Sequence, residues 1–270
     1  MQDLVLDLGS FRKVAFLGGI YSNYLALIEA LRLASERGAE SVIALGDFGA
    51  FGPHPDRTTE ILREERVPAI QGNYEESLTL DADDCHCGYT DPRDNHFARI
   101  SYDYTRAKTS PGQKEWMGTL PAHMRLSIGG SRLLLCHGSP RKINEFLWRS
   151  TTPDPFIRKL LRDHGTDLIV CSHTGIHWKR FFEPGRGVVN AGALGRPAND
   201  GRTNVWLTMI TGGDAGLDAE FIPVTYDHER LAREMTAEGL PPEFVETTMT
   251  GWWTTCLEIL PAKERAQGRY

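Results

Sequence analysis

Short runs of β-branched and other apolar residues alternate along this chain with amphipathic stretches, the pattern of an α/β protein. Residues 13–17, 41–45 and 69–71 read as strands. The apolar spacing of 24–37 and 56–65 predicts helices between them, the first ended by Gly38. Each strand runs into a polar or glycine-bearing loop: Gly18-Gly19-Ile20-Tyr21-Ser22-Asn23, then Gly46-Asp47-Phe48-Gly49, then Gly72-Asn73-Tyr74-Glu75. Ligands of open α/β sheets sit beyond the carboxyl ends of the strands. Chemistry is therefore expected in these three loops.

Residues 81–110 are polar, carry Cys85-His86-Cys87 and several Asp, and show little periodicity before Phe97; they read as a loop or lid. Ser110-Pro111 opens a short helix through Leu120, with proline at the first helical position. Strands are predicted at 125–128 and 132–136 around Gly129-Gly130, then at 168–171, 179–183, 187–190, 205–210 and 219–224. Helices are predicted at 152–164 and at 227–238, the last capped by Asp227 and stopped by Gly239. No repeat or linker interrupts the pattern, which predicts one domain over 1–270 with a lid-like insert at about 81–110 and a C-terminal extension at about 225–270. In that extension Trp252, Trp253 and Leu257 read as packing residues. If exposed, the tryptophan pair would mark a homo-oligomer interface.

The composition narrows the function classes. The chain has 270 residues, 40% of them apolar and 24% charged, an ordinary globular balance. A net charge of −6 argues against coating nucleic acid or an anionic membrane, which needs clustered Lys and Arg. No apolar run approaches the ~18–20 residues of a membrane span. Residues 1–10 hold no Lys or Arg and no long apolar block, so they do not read as a secretory signal and a cytoplasmic location is expected. Five scattered cysteines (85, 87, 136, 171 and 256) fit reduced thiols better than a disulfide framework. Cys85-His86-Cys87 has no second Cys or His pair at zinc-ribbon spacing and reads as a solvent-exposed loop, from which His86, like His96, has reach toward a pocket. The chain lacks both Gly-x-Ser-x-Gly and Gly-x4-Gly-Lys-Ser/Thr, which argues against a serine hydrolase and a P-loop protein.

Taken singly, Asp47, Asn73, His137 and His173 would each pass as turn, cap or structural residues. Together, strand-Gly46-Asp47, strand-Gly72-Asn73, strand-Cys136-His137-Gly138-Ser139 and strand-Ser172-His173-Thr174 resemble the calcineurin-like metallophosphoesterase family over about 13–224. The resemblance implies a four-layer α/β/β/α sandwich and a metal centre across the strand ends. It implies Asp47, Asn73, His137 and His173 as ligands of one ion, a set suited to Mn, Fe or Zn. The ligands of the family's second ion are replaced: its Asp-x-His reads Gly19-Ile20-Tyr21, and the second His of Gly-His-x-His reads Gly175. One ion per chain is expected, unless Tyr21 as a phenolate or His177 restores another. The family's acid/base His stands here as Tyr74. Asn190-Ala191-Gly192-Ala193 is similar to the family's Asn-Pro-Gly-Ser turn, without its Pro and Ser.

These implications give a metal-dependent phosphoric ester hydrolase acting on a small phosphorylated substrate with a reduced, single-ion site. Asp47 would hold the ion, and Tyr74 or Tyr21 would donate hydrogen bonds to the phosphate or leaving group. Arg141 and Arg196 would bind the substrate's negative charge. Two other readings stay open on the same residues: a pseudophosphatase that binds a phosphorylated ligand or partner without hydrolysis, and a mononuclear iron enzyme built on Asp47, His137 and His173.

Overall fold

The computed structural model describes residues 6–183, 185–213 and 216–266. The first half of the amino-terminal stretch and the end of the predicted C-terminal extension lie outside the described residues. The strands are β1 (Leu6–Phe11), β2 (Lys13–Leu17), β3 (Ser41–Ala44), β4 (Met124–Ile128), β5 (Ser131–Leu135), β6 (Leu168–Cys171), β7 (His177–Glu183), β8 (Arg186–Ala191), β9 (Val205–Gly213) and β10 (Gly216–Val224). The helices are α1 (Tyr24–Glu36), α2 (Pro55–Glu64), α3 (Asn73–Thr79), α4 (Pro92–Lys108), α5 (Pro111–Gly118), α6 (Asp154–Asp163), α7 (His228–Ala237), α8 (Pro242–Thr250) and α9 (Ala262–Ala266).

The strands form two sheets, in the orders β1-β4-β5-β6-β8-β7 and β10-β9-β2-β3. Alternation places the sheets face to face. Val14, Phe16, Ile43 and Leu45 from the smaller sheet and its loops meet Met124, Leu126, Ile128, Leu133, Leu135, Val170 and Val189 of the larger in one buried cluster. The intervening residues Ala15, Leu17, Ala44, Leu207 and Met209 face outward and are covered by Leu27 of α1, Leu62 of α2, Leu78 of α3, Phe97 of α4, Met117 of α5 and Phe244 of α8. On the far side, Ile169, Cys171 and Val188 pack against Ile157, Leu160 and Leu161 of α6. The β6 strand is buried at all four positions, as expected of a central parallel strand with both faces covered. The result is a mixed α/β domain of two sheets flanked by helices. Among the described residues no helix is long and apolar enough to cross a membrane.

Three local expectations are corrected, and one strand is added to those expected. Most of the predicted loop at 81–110 is the 17-residue α4, capped by the Asp91 side chain accepting from Arg93 N and started by Pro92. Residues 69–71 form no strand, only a bridge from Ala69 to Ala44. The Gly72-Asn73-Tyr74-Glu75 loop is the start of α3. The amino-terminal β1, not anticipated, adds in parallel to β4 at the sheet edge.

Candidate metal centre

The carboxyl ends of β2, β3, β5 and β6 converge on one point, and the loops that follow them bring Asp47, His137 and His173 together. One ligand atom from each lies within 4.8 Å of the others, all three residues being buried. His137 Nε2 is 3.2 Å from Asp47 Oδ2 and 3.1 Å from His173 Nδ1. Two donors bound to one ion at about 2.0–2.2 Å stand roughly 2.9–3.5 Å apart, so these spacings fit one transition-metal ion. His137 Nδ1 lies 2.6 Å from the Leu45 carbonyl. Donation of its N–H to that carbonyl leaves the Nε2 lone pair facing the ion position. Asn73 on α3 donates from Nδ2 to the Cys85 carbonyl at 2.9 Å, while its buried Oδ1 has no hydrogen-bond partner. An orphaned buried amide oxygen is costly, and a metal ion is the partner its chemistry suits.

The electrostatics follow from the crowding. Burial works against the Asp47 charge, but His137 beside it, with His173, holds the carboxyl below its ordinary range. Burial likewise disfavours a charged His137, yet the Asp47 carboxylate more than reverses this and raises its pKa. Burial and then His137 push His173 down to about 3, so it is neutral and free to ligate. Glu75, on the first turn of α3, accepts from Asp47 N at 2.7 Å, Phe48 N at 2.9 Å and Gly72 N at 2.8 Å. It thereby ties the Asp47 loop to the Asn73 helix. Burial and the Asp47 charge raise its pKa to about 7. Asp47 and His173 have φ of 55° and 65°, a left-handed backbone that non-glycine residues adopt at a cost of order 1–3 kcal/mol. The hydrogen bonds of Glu75 offset that cost at the Asp47 loop.

The sequence pattern of the calcineurin-like phosphoesterase superfamily domain matches residues 13–212. The chain belongs to this superfamily. It is 22% identical over 258 residues to the uncharacterized protein MJ0912 of Methanocaldococcus jannaschii, covering 88% of this chain and 98% of the relative. The fold is similar to that of the hypothetical protein PH1004 from Pyrococcus horikoshii OT3, at 21% identity with a TM-score of 0.73, covering 90% of this chain and 99% of that one. It is also similar to a metallophosphoesterase from Sphaerobacter thermophilus, at 21% identity with a TM-score of 0.64, covering 89% and 99%.

In this superfamily member an aromatic ring lies against each of the two glycines that stand where the sequence resemblance implies second-ion ligands. A Cβ on Gly19 would lie 2.5 Å from Tyr21 Cε1, and a Cβ on Gly175, whose φ is +73°, would lie 2.9 Å from Trp253 Cη2. Any ligating side chain at either glycine would displace one of those rings. The remaining space is a cavity of about 60 Å³ whose lining includes Asp47, His173, Tyr21, Tyr74, Arg196 and Phe244. Tyr74 is buried and donates from its hydroxyl to Ser101 Oγ at 3.0 Å. Burial raises the phenols of Tyr21 and Tyr74 above the ordinary tyrosine range, and the Asp47 charge adds to the rise.

Other predicted residues lie elsewhere in this phosphoesterase-like domain. His177 begins β7 with its ring against Trp206 and Phe221, at 4.4 and 4.6 Å. It is not in the ligand group found among the described residues. Its carboxyl-side neighbours continue a strand, which turns it away from the loops. Arg141 is exposed and paired with Glu145, its guanidinium over Phe156 at 4.8 Å, so its charge is already compensated outside the cavity. His86 and His96 are exposed; His86 Nδ1 pairs with Ser77 Oγ at 3.1 Å, and the His96 ring leans on Phe97.

The expectation of reduced, solvent-exposed Cys85 and Cys87 is also corrected. The two form a disulfide, are buried, and Cys87 lines the cavity. Cys136, Cys171 and Cys256 are free and buried. Trp253 is buried with Trp148, Leu257 and Leu260, so the tryptophan pair is no exposed platform. Sequence reasoning missed the wall residues Phe97, Ser101, Phe244, Thr255 and Cys256, which come from α4, α8 and the C-terminal segment. It also gave no role to Glu75, whose place three residues after the helix-starting Gly72 is a readable capping signal.

Proposed function

We propose that this protein is a metal-dependent phosphoester hydrolase acting on a small phosphorylated substrate with one transition-metal ion, held by Asp47, Asn73, His137 and His173. The observation that carries this reading is the convergence of three ligand atoms beside the orphaned Asn73 Oδ1 in a chain of the phosphoesterase superfamily. A bound Mn, Fe or Zn ion supplies Lewis-acid polarisation of a phosphoryl oxygen and lowers the pKa of a bound water.

The chain's own residues supply the rest. Neutral His173 presents a lone pair at neutral pH, and His137, with its Nδ1 committed to the Leu45 carbonyl, directs Nε2 toward Asp47 and His173. Glu75 fixes the backbone that carries Asp47. Tyr21 and Tyr74 stay protonated, so they serve as hydrogen-bond donors to phosphoryl or leaving-group oxygen and not as bases. The aromatic walls limit the water that reaches the phosphoryl group, which strengthens each of these interactions.

Turnover of p-nitrophenyl phosphate by the Mn-loaded protein tests the reading, with Asp47→Ala as control. Loss of several kcal/mol of metal-derived stabilisation corresponds to a fall of roughly 100-fold or more. Equal, background-level rates for wild type and variant, with ligand binding intact, would favour the pseudophosphatase.

A further inference from the structure

Arg196, in the loop after β8, is buried, at 6% exposure. Its Nη2 donates to the Thr255 carbonyl at 2.8 Å and to Thr255 Oγ1 at 3.3 Å. Its Nε is buried without a hydrogen-bond partner. Among the described residues no carboxylate pairs with it, although ion pairs are formed by many of the exposed arginines. The guanidinium lies 3.9 Å from the centroid of the Trp253 ring and 5.1 Å from that of Phe51. An isolated buried cation is expensive to keep. Stacking on two rings offsets part of that cost and leaves the charge itself without a counter-ion.

The position of this charge matters. Trp253 is the ring that occupies the space beside Gly175, and Tyr21 the ring that occupies the space beside Gly19. Tyr21 is near enough to Asp47 and Arg196 for both charges to act on its phenol. Arg196 and Asp47 line the same cavity. The unpaired cation therefore lines the cavity that Asp47 and Tyr21 also line, and stacks on the Trp253 ring that lies beside Gly175.

We propose that the Arg196 guanidinium takes the electrostatic part of a second metal ion, binding the non-bridging oxygens of a terminal phosphoryl group, and that the substrate is a phosphate monoester. The inference rests on the hydrolase reading for the identity of the oxyanion. Thr255 holds Nη2, so the guanidinium offers a phosphoryl group its charge and its Nη1 N–H groups rather than a free two-pronged fork. A cavity of about 60 Å³ holds about four to six water-sized spheres, enough for an ion and the oxygens of one phosphoryl group. The guanidinium adds a positive charge beside the ion position, which favours the oxyanion of higher charge, and a monoester dianion carries one more negative charge than a diester.

The test is calorimetric binding of orthophosphate and of dimethyl phosphate to the full chain loaded with Mn²⁺, for wild type, Arg196→Met and Arg196→Lys, with bound Mn measured for each. The expected result is unchanged Mn content in all three. Orthophosphate affinity falls about 30- to 100-fold in Arg196→Met and less in Arg196→Lys, which keeps the charge. Wild type prefers orthophosphate to dimethyl phosphate, and Arg196→Met loses that preference. Equal orthophosphate affinity in wild type and Arg196→Met, no orthophosphate binding by wild type, or a preference for dimethyl phosphate would each overturn the proposal. If Arg196→Met does not fold, Arg196→Lys carries the comparison, and wild-type affinity there overturns it. Absence of Mn from wild type would instead count against the hydrolase reading, and the same titrations on metal-free protein would still decide the role of Arg196.

Discussion

Glu75 receives three backbone N–H groups from two loops while buried beside another carboxylate. Both carboxyl oxygens of Glu75 are engaged as acceptors by these three donors. In Glu75→Gln one of those oxygens becomes an NH₂ that faces N–H groups, and the expected loss is about 1–3 kcal/mol of stability in denaturant unfolding. Metal affinity should drop about 10- to 100-fold, because Asp47 is held through that loop. Wild-type values for both would show that the loop holds itself. At this scale the proposed ligands Asp47, His137 and His173 were legible because each follows a strand that hydropathy reveals, and Asn73 because it follows a short apolar run that forms only the bridge from Ala69 to Ala44. The surroundings of Arg196 were not, since Trp253 and Thr255 reach it only when a distant segment folds back over the loop.

Helix α4 shows why an element can hide from hydropathy. Its buried positions are Asp94, Phe97, Ala98, Ser101, Tyr102 and Thr105, a helical spacing in which three of the six are polar. Those polar groups are committed: Ser101 Oγ accepts from Phe51 N at 2.8 Å, Thr105 Oγ1 from Ala50 N at 3.1 Å, and Asp94 Oδ2 from Ile259 N at 2.9 Å. The helix thus exists to hold a loop and the C-terminal segment, and its period is one of burial and not of apolarity. It meets α8 through Phe97 and Phe244, whose rings are 6.0 Å apart, with Phe51 at 4.9 Å from Phe244. Phe244→Ala should cost about 3–5 kcal/mol through the cavity it leaves; a loss below ~1 kcal/mol would mean α8 is not seated there. The cysteine pairing was equally hidden, because spacing cannot report a pair two residues apart. Thiol titration in denaturant without reductant should give three thiols per chain, from Cys136, Cys171 and Cys256, and five after reduction. Five before reduction would contradict the pairing of Cys85 with Cys87.

For the whole molecule, the alternation of strands and helices made the α/β class legible, and the two-sheet architecture was legible only through the family resemblance. How far its ends reach across the strand loops was not. Buried His173 and half-buried His177 bear on its stability. His177 is pushed down to about 4 by burial, and His173 to about 3 by burial and His137. Below pH ~6.5 the unfolded chain takes up protons that these folded residues refuse. Their contribution is therefore present above that pH and lost as pH falls toward 4. Glu75, raised to about 7, works in the opposite direction, so the informative quantity is the difference between wild type and His177→Phe in metal-free protein. Thermal unfolding should show the variant gaining stability relative to wild type as pH drops from 6.5 to 4; a constant difference would place His177 in contact with solvent.

The central claim is one metal ion where the superfamily resemblance implies two. Metal content per chain, measured by inductively coupled plasma mass spectrometry on protein purified without chelator, tests it most directly. The account predicts about one equivalent of transition metal, lost in His173→Ala. Two equivalents would contradict the single ion, and no metal after soaking with Mn²⁺, Zn²⁺ or Fe²⁺ would contradict the metal centre itself.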